Sequence, residues 1–331
     1  MRYKTLNTCP EQNVIDVTIL LDDAMPEQLI IVGGGPAGLA AAIYAAREGF
    51  NPLVVAGANP GGQLLLTTTV ENFPGFPDGV LGSDLIALLR KQAERFGTRF
   101  IDSNVTGVDF GKKPYTITVD EKKYEAESVI IATGANAKWL GIESEKRFIG
   151  HGVSSCATCD GPFFRDRNVI VVGGGDTAME DSLFLTRFVK SVHIVHRRDE
   201  LRASKIMQER ARNNPKISFV WNSTVEEILG DSRVRSVKLR NLITGEVTET
   251  STDGVFVAIG YQPNTTMLGD ALPLDNAGYV ITKEEVLTDL EGVYVAGDVS
   301  DRYYRQAATA VASGVKAALH AREYLQQRHE G

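Results

Sequence analysis

Two glycine-rich turns, each placed at the end of an apolar run, restrict this chain more than any other feature. The first run, Leu29-Ile30-Ile31-Val32, is short, continuous and apolar, as a parallel strand covered on both faces must be. It leads into Gly33-Gly34-Gly35-Pro36-Ala37-Gly38 and an alanine-rich segment that reads as a helix to about Glu48. Gly33, Gly35 and Gly38 have G-x-G-x-x-G spacing. The first glycine permits a tight turn, the second lets a pyrophosphate approach the backbone, and the third lets helix and strand pack closely. The helix N-terminus then offers free N–H groups and positive dipole to the phosphates. At Asn168-Val169-Ile170-Val171-Val172 the pattern restarts and runs into Gly173-Gly174-Gly175-Asp176-Thr177-Ala178, 140 residues after the first turn. Ala178 stands where the third glycine would, and it is still small enough for close packing. Two such turns predict two dinucleotide sites in an α/β fold with two Rossmann-like domains.

The strand ends differ in charge. The strand after the first turn closes at Leu53-Val54-Val55-Ala56-Gly57, without the acid that usually holds an adenosine ribose. The strand after the second, Ser191–Val195, delivers His196-Arg197-Arg198, with Arg202 one turn on. Arginines at this place suit the 2′-phosphate of NADP rather than the free hydroxyl of NAD. Two further apolar strands end in small residues, Val129–Ala132 at Thr133-Gly134 and Val293–Ala296 at Gly297-Asp298. Asp298 reads either as a ligand group or as a helix cap. Arg305-Gln306-Ala307 opens a helix that continues to about Gln326. The loops around Gly61-Gly62-Gln63 and Glu71-Asn72-Phe73 are rich in glycine and amides, fit either to wrap a planar ligand or to turn the chain.

Cys156-Ala157-Thr158-Cys159 is followed at once by Asp160. A Cys-x-x-Cys pair is a redox disulfide or half of a zinc site. Zinc needs about four ligands. The third cysteine of the chain, Cys9, is remote, and His151 precedes the pair at no zinc-finger spacing, so the redox reading is favoured and no metal is expected. Three cysteines in 331 residues make no disulfide scaffold. A net charge of −7 without a basic run opposes nonspecific nucleic-acid binding. No apolar run reaches membrane-spanning length, and Val17–Leu21 is too short and too closely flanked by aspartates for a signal peptide, which together predict a cytoplasmic protein.

In this order, Gly-Gly-Gly-Pro-Ala-Gly, Gly-Gly-Gln-Leu, Glu-Asn-Phe-Pro-Gly, Ala-Thr-Gly, Cys-Ala-Thr-Cys-Asp, Gly-Gly-Gly-Asp-Thr-Ala, His-Arg-Arg-Asp-x-x-Arg-Ala, Ala-Gly-Asp and Tyr-Arg-Gln-Ala, the chain from about residue 28 to 326 resembles the low-molecular-weight NADPH-dependent thioredoxin reductases of bacteria and plants. The resemblance implies an FAD domain (28–138 and 265–331) split around an inserted NADPH domain (139–264) that carries the disulfide, preceded by an arm (1–27). It implies that Gly33, Gly35, Pro36, Ala37, Gly38, Gly62, Gln63, Asn72, Thr133, Gly134, Gly297, Asp298, Arg305, Gln306 and Ala307 hold FAD. Gly173, Gly175, Asp176, Thr177, Ala178, His196, Arg197, Arg198 and Arg202 would hold NADPH. It further implies a homodimer, thioredoxin as partner, Cys159 against the flavin, Cys156 toward thioredoxin, and Asp160 as the acid. Both the cysteines and the NADPH loop must then reach one flavin, so the inserted domain is expected to rotate about links near 137–141 and 261–264. Replacement of the expected acid by Ala56 is a departure from the general fingerprint.

Overall fold

The computed structural model describes residues 25–67 and 69–329, so Cys9 and most of the N-terminal arm lie outside the described residues. The chain builds two main sheets, the first mixed and the second parallel. The first has seven strands, in the order 99–101, 53–55, 27–32, 122–131, 115–119, 105–109, with Val293–Val295 paired to the strand at 122–131. That long strand divides one edge between two partners. Its first half pairs antiparallel with Tyr115–Val119, and its second half, Val129–Ile131, pairs parallel with Val293–Val295. The strand expected from Leu29 begins at Glu27, whose carboxylate pairs with Arg99 two strands away. Two short strands, Arg99–Ile101 and Val105–Asp109, form the two ends of that order.

Alternation along Leu29–Val32 sends Leu29 and Ile31 to one face and Ile30 and Val32 to the other. The first pair packs under the helices Pro36–Arg47 and Ala307–His329; the second joins Ile117, Val129 and Val293. Both faces are covered, which is why the run is apolar throughout. The two helices cross at Gly314, where a Cβ would come within 2.1 Å of the Ala37 carbonyl oxygen.

The second sheet has five parallel strands in the order 153–154, 254–257, 168–172, 191–195, 217–220. A three-stranded antiparallel meander, 223–230, 234–241 and 247–251, lies in the chain between its strands 217–220 and 254–257. The core repeats the plan of the first sheet: Val169, Val171 and Ile194 face one side, and Ile170, Val172 and Val195 the other. All five strands come from between the first sheet's strand 122–131 and its strand 293–295. The two passages between the sheets run side by side as an antiparallel ribbon, Ala135–Ala137 against Tyr261–Pro263.

Candidate functional site

A cavity of about 900 Å³ opens at the carboxyl ends of the parallel strands of the first sheet. Gly33, Gly35, Pro36 and Ala37 form one wall, and Gly62, Gln63 and Asn72 another. Thr133, Gly134, Gly297 and Asp298 line it at the strand ends, and Arg305, Gln306 and Ala307 line it at the start of the last helix. Gly33 has φ +124°, and a Cβ there would lie 2.2 Å from the Ala132 oxygen, so only glycine makes this turn. Gly38 does not line the cavity. It packs beneath it, where a Cβ would sit 1.9 Å from the Gly33 oxygen. Gly35 is the opposite case: nothing lies within 4 Å of the place its Cβ would take, because that space is the cavity itself. No side chain caps the helix that starts at Pro36, so its first turn presents bare backbone.

Asp298 has a buried oxygen, Oδ1, with no hydrogen-bond partner among the described residues. Burial, reinforced by Asp301 and opposed by Arg305, pushes its carboxyl up to about 7. A buried acceptor left unpaired costs on the order of 1–3 kcal/mol. The position therefore makes sense for a group that meets donors on a bound ligand.

The disulfide forms part of the same wall. Cys156 and Cys159 are joined, with Cα atoms 5.3 Å apart, and both line the cavity together with Asp160. Cys156 stands at the start of a single helical turn, Ala157–Asp160, and Cys159 lies within it. Two contacts fasten this turn across the gap between the sheets. Gln306 Nε2 donates to Thr158 Oγ1 at 3.1 Å, and Tyr261 in the connecting ribbon donates its hydroxyl to the Ser155 carbonyl at 2.7 Å. The Arg305 guanidinium lies 4.3 Å from the Tyr261 ring centre. Burial raises the Asp160 carboxyl above its ordinary value, against a hydrogen bond from Ser154. A carboxyl shifted in this direction keeps a proton available nearer neutral pH.

The second glycine turn stands elsewhere: none of Gly173, Gly175, Asp176, Thr177, Ala178, His196, Arg197, Arg198 and Arg202 lines this cavity. Gly173 packs over Ala178, with its Cβ position 2.8 Å from the alanine methyl. Arg197, Arg198 and Arg202 are exposed and enter no ion pair among the described residues. Two neighbours are engaged within the protein. Asp176 Oδ1 accepts both the backbone N–H and the hydroxyl of Ser204 at 2.8 Å. His196 is buried over Gly174, with Nε2 3.0 Å from the Glu200 carbonyl, and burial lowers its pKa, so the ring is neutral at pH 7. The Gly174 carbonyl also accepts the N–H groups of Arg202 and Ala203 at 2.7 and 3.1 Å. The arginine loop is thus tied to the glycine turn by backbone bonds, while its guanidinium groups stay free.

Sequence reading did not single out the amides at the crossing. Gln63 donates to Asn136, Asn136 to Asn264, and Asn264 to the Thr133 carbonyl, at 3.1, 3.1 and 2.9 Å. The Thr133 hydroxyl donates to the Asn264 carbonyl at 2.7 Å. Asn136 lies in the middle of the short strand Ala135–Ala137 and Asn264 directly follows Tyr261–Pro263, so the ribbon brings them together.

The family pattern described as pyridine nucleotide-disulphide oxidoreductase matches residues 27–314. A thioredoxin reductase of Rickettsia bellii is 49% identical over 303 residues, which are 90% of this chain and 98% of the relative. The chain belongs to the thioredoxin reductases of the pyridine nucleotide-disulphide oxidoreductase family. Among solved structures, the thioredoxin reductase of Streptococcus pyogenes superposes with TM-score 0.87 at 40% identity, over 90% of this chain and 98% of its own. The Lactococcus lactis thioredoxin reductase, described as the FR conformation, superposes with only 0.62 at 39% identity, over 91% of this chain and 99% of its own.

Thioredoxin reductases use FAD and NADPH, and the residues present fit both. The uncapped helix start and the open space beside Gly35 fit a pyrophosphate, and the orphaned Asp298 oxygen fits a ligand hydroxyl. The three free guanidinium groups beside the second glycine turn fit a 2′-phosphate.

Asp298 makes the stability of the flavin-free protein depend on pH. Unfolded, it ionises near 3.8; folded, near 7. Between these values the folded state binds more protons, so stability falls as pH rises from about 4 to 7, by up to about 4 kcal/mol. Asp181, also raised to about 7 by burial, acts in the same direction. Asp298→Asn should therefore raise the melting temperature of flavin-free protein at pH 8 by on the order of a few degrees, change it little at pH 4, and weaken FAD binding. An equal change at both pH values would exclude this role. At the other turn, Arg197→Ala with Arg198→Ala should raise the KM for NADPH roughly 10- to 100-fold and leave that for NADH nearly unchanged. Steady-state kinetics with the two nucleotides checks it, and equal losses would refute 2′-phosphate binding.

Proposed function

We propose that this chain reduces thioredoxin with electrons from NADPH, by way of FAD and the Cys156–Cys159 disulfide. The observation that carries the reading is a disulfide set in the wall of a cavity whose other walls suit FAD. Bound FAD supplies the redox chemistry, taking hydride from NADPH and giving two electrons to the disulfide. The protein does the rest. The glycine turn and Asp298 hold the cofactor, and Gln63, Asn72, Thr133, Gly134, Gly297, Arg305, Gln306 and Ala307 border it. Asp160 holds the proton that the departing sulfur takes. Cys159 meets the flavin and Cys156 attacks thioredoxin. The second glycine turn and Arg197, Arg198 and Arg202 bind NADPH, with His196 and Asp176 ordering the loops around them.

The division at 28–138 and 265–331 for the FAD domain, with 139–264 inserted for NADPH, is supported by the ribbon at 135–137 and 261–263. In this arrangement the disulfide lines the cavity and the arginine loop does not. NADPH and the disulfide would therefore use the flavin in turn, by rotation of the inserted domain about the ribbon. Two relatives of nearly equal identity, 40% and 39%, superpose on this chain with TM-scores of 0.87 and 0.62, a gap that supports a change in domain placement rather than in fold. A homodimer is supported by Leu81 and Leu88, which are each 50% exposed and lie outside the cavity lining. Among the described residues no helix is long and apolar enough to cross a membrane. A cytoplasmic location agrees with a catalytic rather than a structural cysteine pair.

The cysteines should prove unequal. Cys156→Ser leaves a thiolate at 159 that should give a long-wavelength charge-transfer absorbance with oxidised FAD; Cys159→Ser should lack it, yet form a mixed disulfide with a thioredoxin missing its own resolving cysteine. The reverse pattern would reverse the roles. The rotation is checked with a covalent crosslink that fixes the present arrangement. The crosslinked protein should lose NADPH-driven turnover but still reduce its disulfide when dithionite supplies the electrons. Full NADPH turnover after crosslinking would show that no rotation is needed.

A further inference from the structure

The hydrogen-bond chain that ends on Cys156 has a fixed direction. Thr158 Oγ1 lies 3.4 Å from Cys156 Sγ. A disulfide sulfur carries no hydrogen, so the threonine hydroxyl is the donor. Gln306 Nε2 donates to the same hydroxyl oxygen and also lies 3.2 Å from the Tyr304 carbonyl. A carbonyl only accepts, so this end of the Gln306 amide must be nitrogen. Its other end, Oε1, accepts from Asn72 Nδ2 at 3.0 Å. The order is therefore Asn72 to Gln306 to Thr158 to Cys156, with every hydrogen assigned and the last one aimed at sulfur.

We propose that Thr158 stabilises the thiolate released on Cys156, and that Gln306 sets it for this role while the two sheets are docked as they are here. The proposal rests on the reading of Cys156–Cys159 as the redox pair. In the step concerned the S–S bond breaks as two electrons would enter from the reduced flavin, which would return to its oxidised form and release a proton. Cys156 Sγ leaves as a thiolate, with the Thr158 hydroxyl donating to it, and Cys159 Sγ keeps the second negative charge. Asp160 then gives its proton to Cys156 Sγ, so Cys156 ends as the thiol and Cys159 as the thiolate. A hydrogen bond to a charged acceptor is stronger than one to a neutral acceptor, so the Thr158 bond strengthens as the sulfur gains charge. It favours the released thiolate over the disulfide. Gln306 belongs to the first half of the fold and Thr158 to the inserted half. Rotation would part them, free the threonine hydroxyl to turn to water, and leave Cys156 more basic and more nucleophilic when it meets its partner.

The test needs Cys156 as the only thiol, which Cys9→Ser with Cys159→Ser provides, in FAD-loaded protein without thioredoxin. The rate of Cys156 alkylation by iodoacetamide is followed by mass across a pH series. Adding Thr158→Val should move the midpoint upward and slow alkylation at pH 7 about three- to tenfold. Thr158→Ser should restore the original profile, and Gln306→Met should shift it in the same direction as Thr158→Val. FAD absorbance of each variant confirms that the site is intact. A midpoint that Thr158→Val leaves in place, or that Thr158→Ser fails to restore, overturns the role of Thr158. An unchanged midpoint in Gln306→Met overturns the link to docking. The redox reading is judged separately. If NADPH generates no pair of thiols in the unsubstituted protein, that reading falls; if it does while the Thr158 profile stays flat, only this proposal falls.

Discussion

The seven-stranded sheet cannot be completed until the chain has left it, built a second sheet, and returned. Val293–Val295 pairs with Val129–Ile131, and everything from the connecting ribbon to the second sheet lies between them in sequence. This one pairing makes the second half an insertion rather than an appended domain. An appended domain hangs on one link and swings in any direction. An insertion hangs on two, and here the two links are hydrogen bonded to each other through Ala135–Ala137 and Tyr261–Pro263. The same ribbon carries Tyr261, whose hydroxyl reaches Ser155 next to the first cysteine. The connecting ribbon and the placement of the disulfide therefore share Tyr261.

The cavity follows from the first half alone. Parallel strands must end on one side, and Val32, Val55, Ile131 and Val295 all end there. Each is followed by small residues, because backbone rather than side chain must meet the ligand. The close approaches at Gly33 and Gly38 hold helix, turn and neighbouring strand within van der Waals contact, while Gly35 is left open toward the cavity. Three glycines of one motif thus have three separate physical reasons, two steric and one for access.

Much of this was legible in the sequence for a physical reason: strand-turn-helix units are local, so their apolar runs and glycines stand next to one another in the chain. The free guanidinium groups of Arg197 and Arg198 were legible in the same way. Partnerships were not. Asp176 reads as a ligand group at the end of a glycine turn, yet its carboxylate meets Ser204, 28 residues on. His196 reads as an NADPH ligand beside two arginines, yet it is buried and neutral over Gly174. Gln306 and Thr158 are 148 residues apart, and nothing in either neighbourhood announces the other. Asn136 and Asn264 meet only because the ribbon brings them together. Sequence shows which residues can hydrogen bond; the fold decides whether they do so with the protein or keep a valence for a ligand.

That distinction separates the two acids of the site. Burial is the first cause of the upward shift in both Asp298 and Asp160. Asp298 has an oxygen with no partner, so its shift records an acceptor waiting in a dry place; a ligand hydroxyl would replace the missing donor and bring its pKa down. Neither oxygen of Asp160 is both buried and without a partner among the described residues, and Ser154 acts to lower its pKa, so its shift does not record a missing partner. It lies in the turn of the disulfide, where a proton held nearer neutral pH is useful and an ionised carboxylate would repel a departing thiolate. A raised carboxyl therefore suits the ligand binding proposed for one position and the proton transfer proposed for the other, and what separates the two is the unpartnered oxygen of Asp298 rather than the size of the shift.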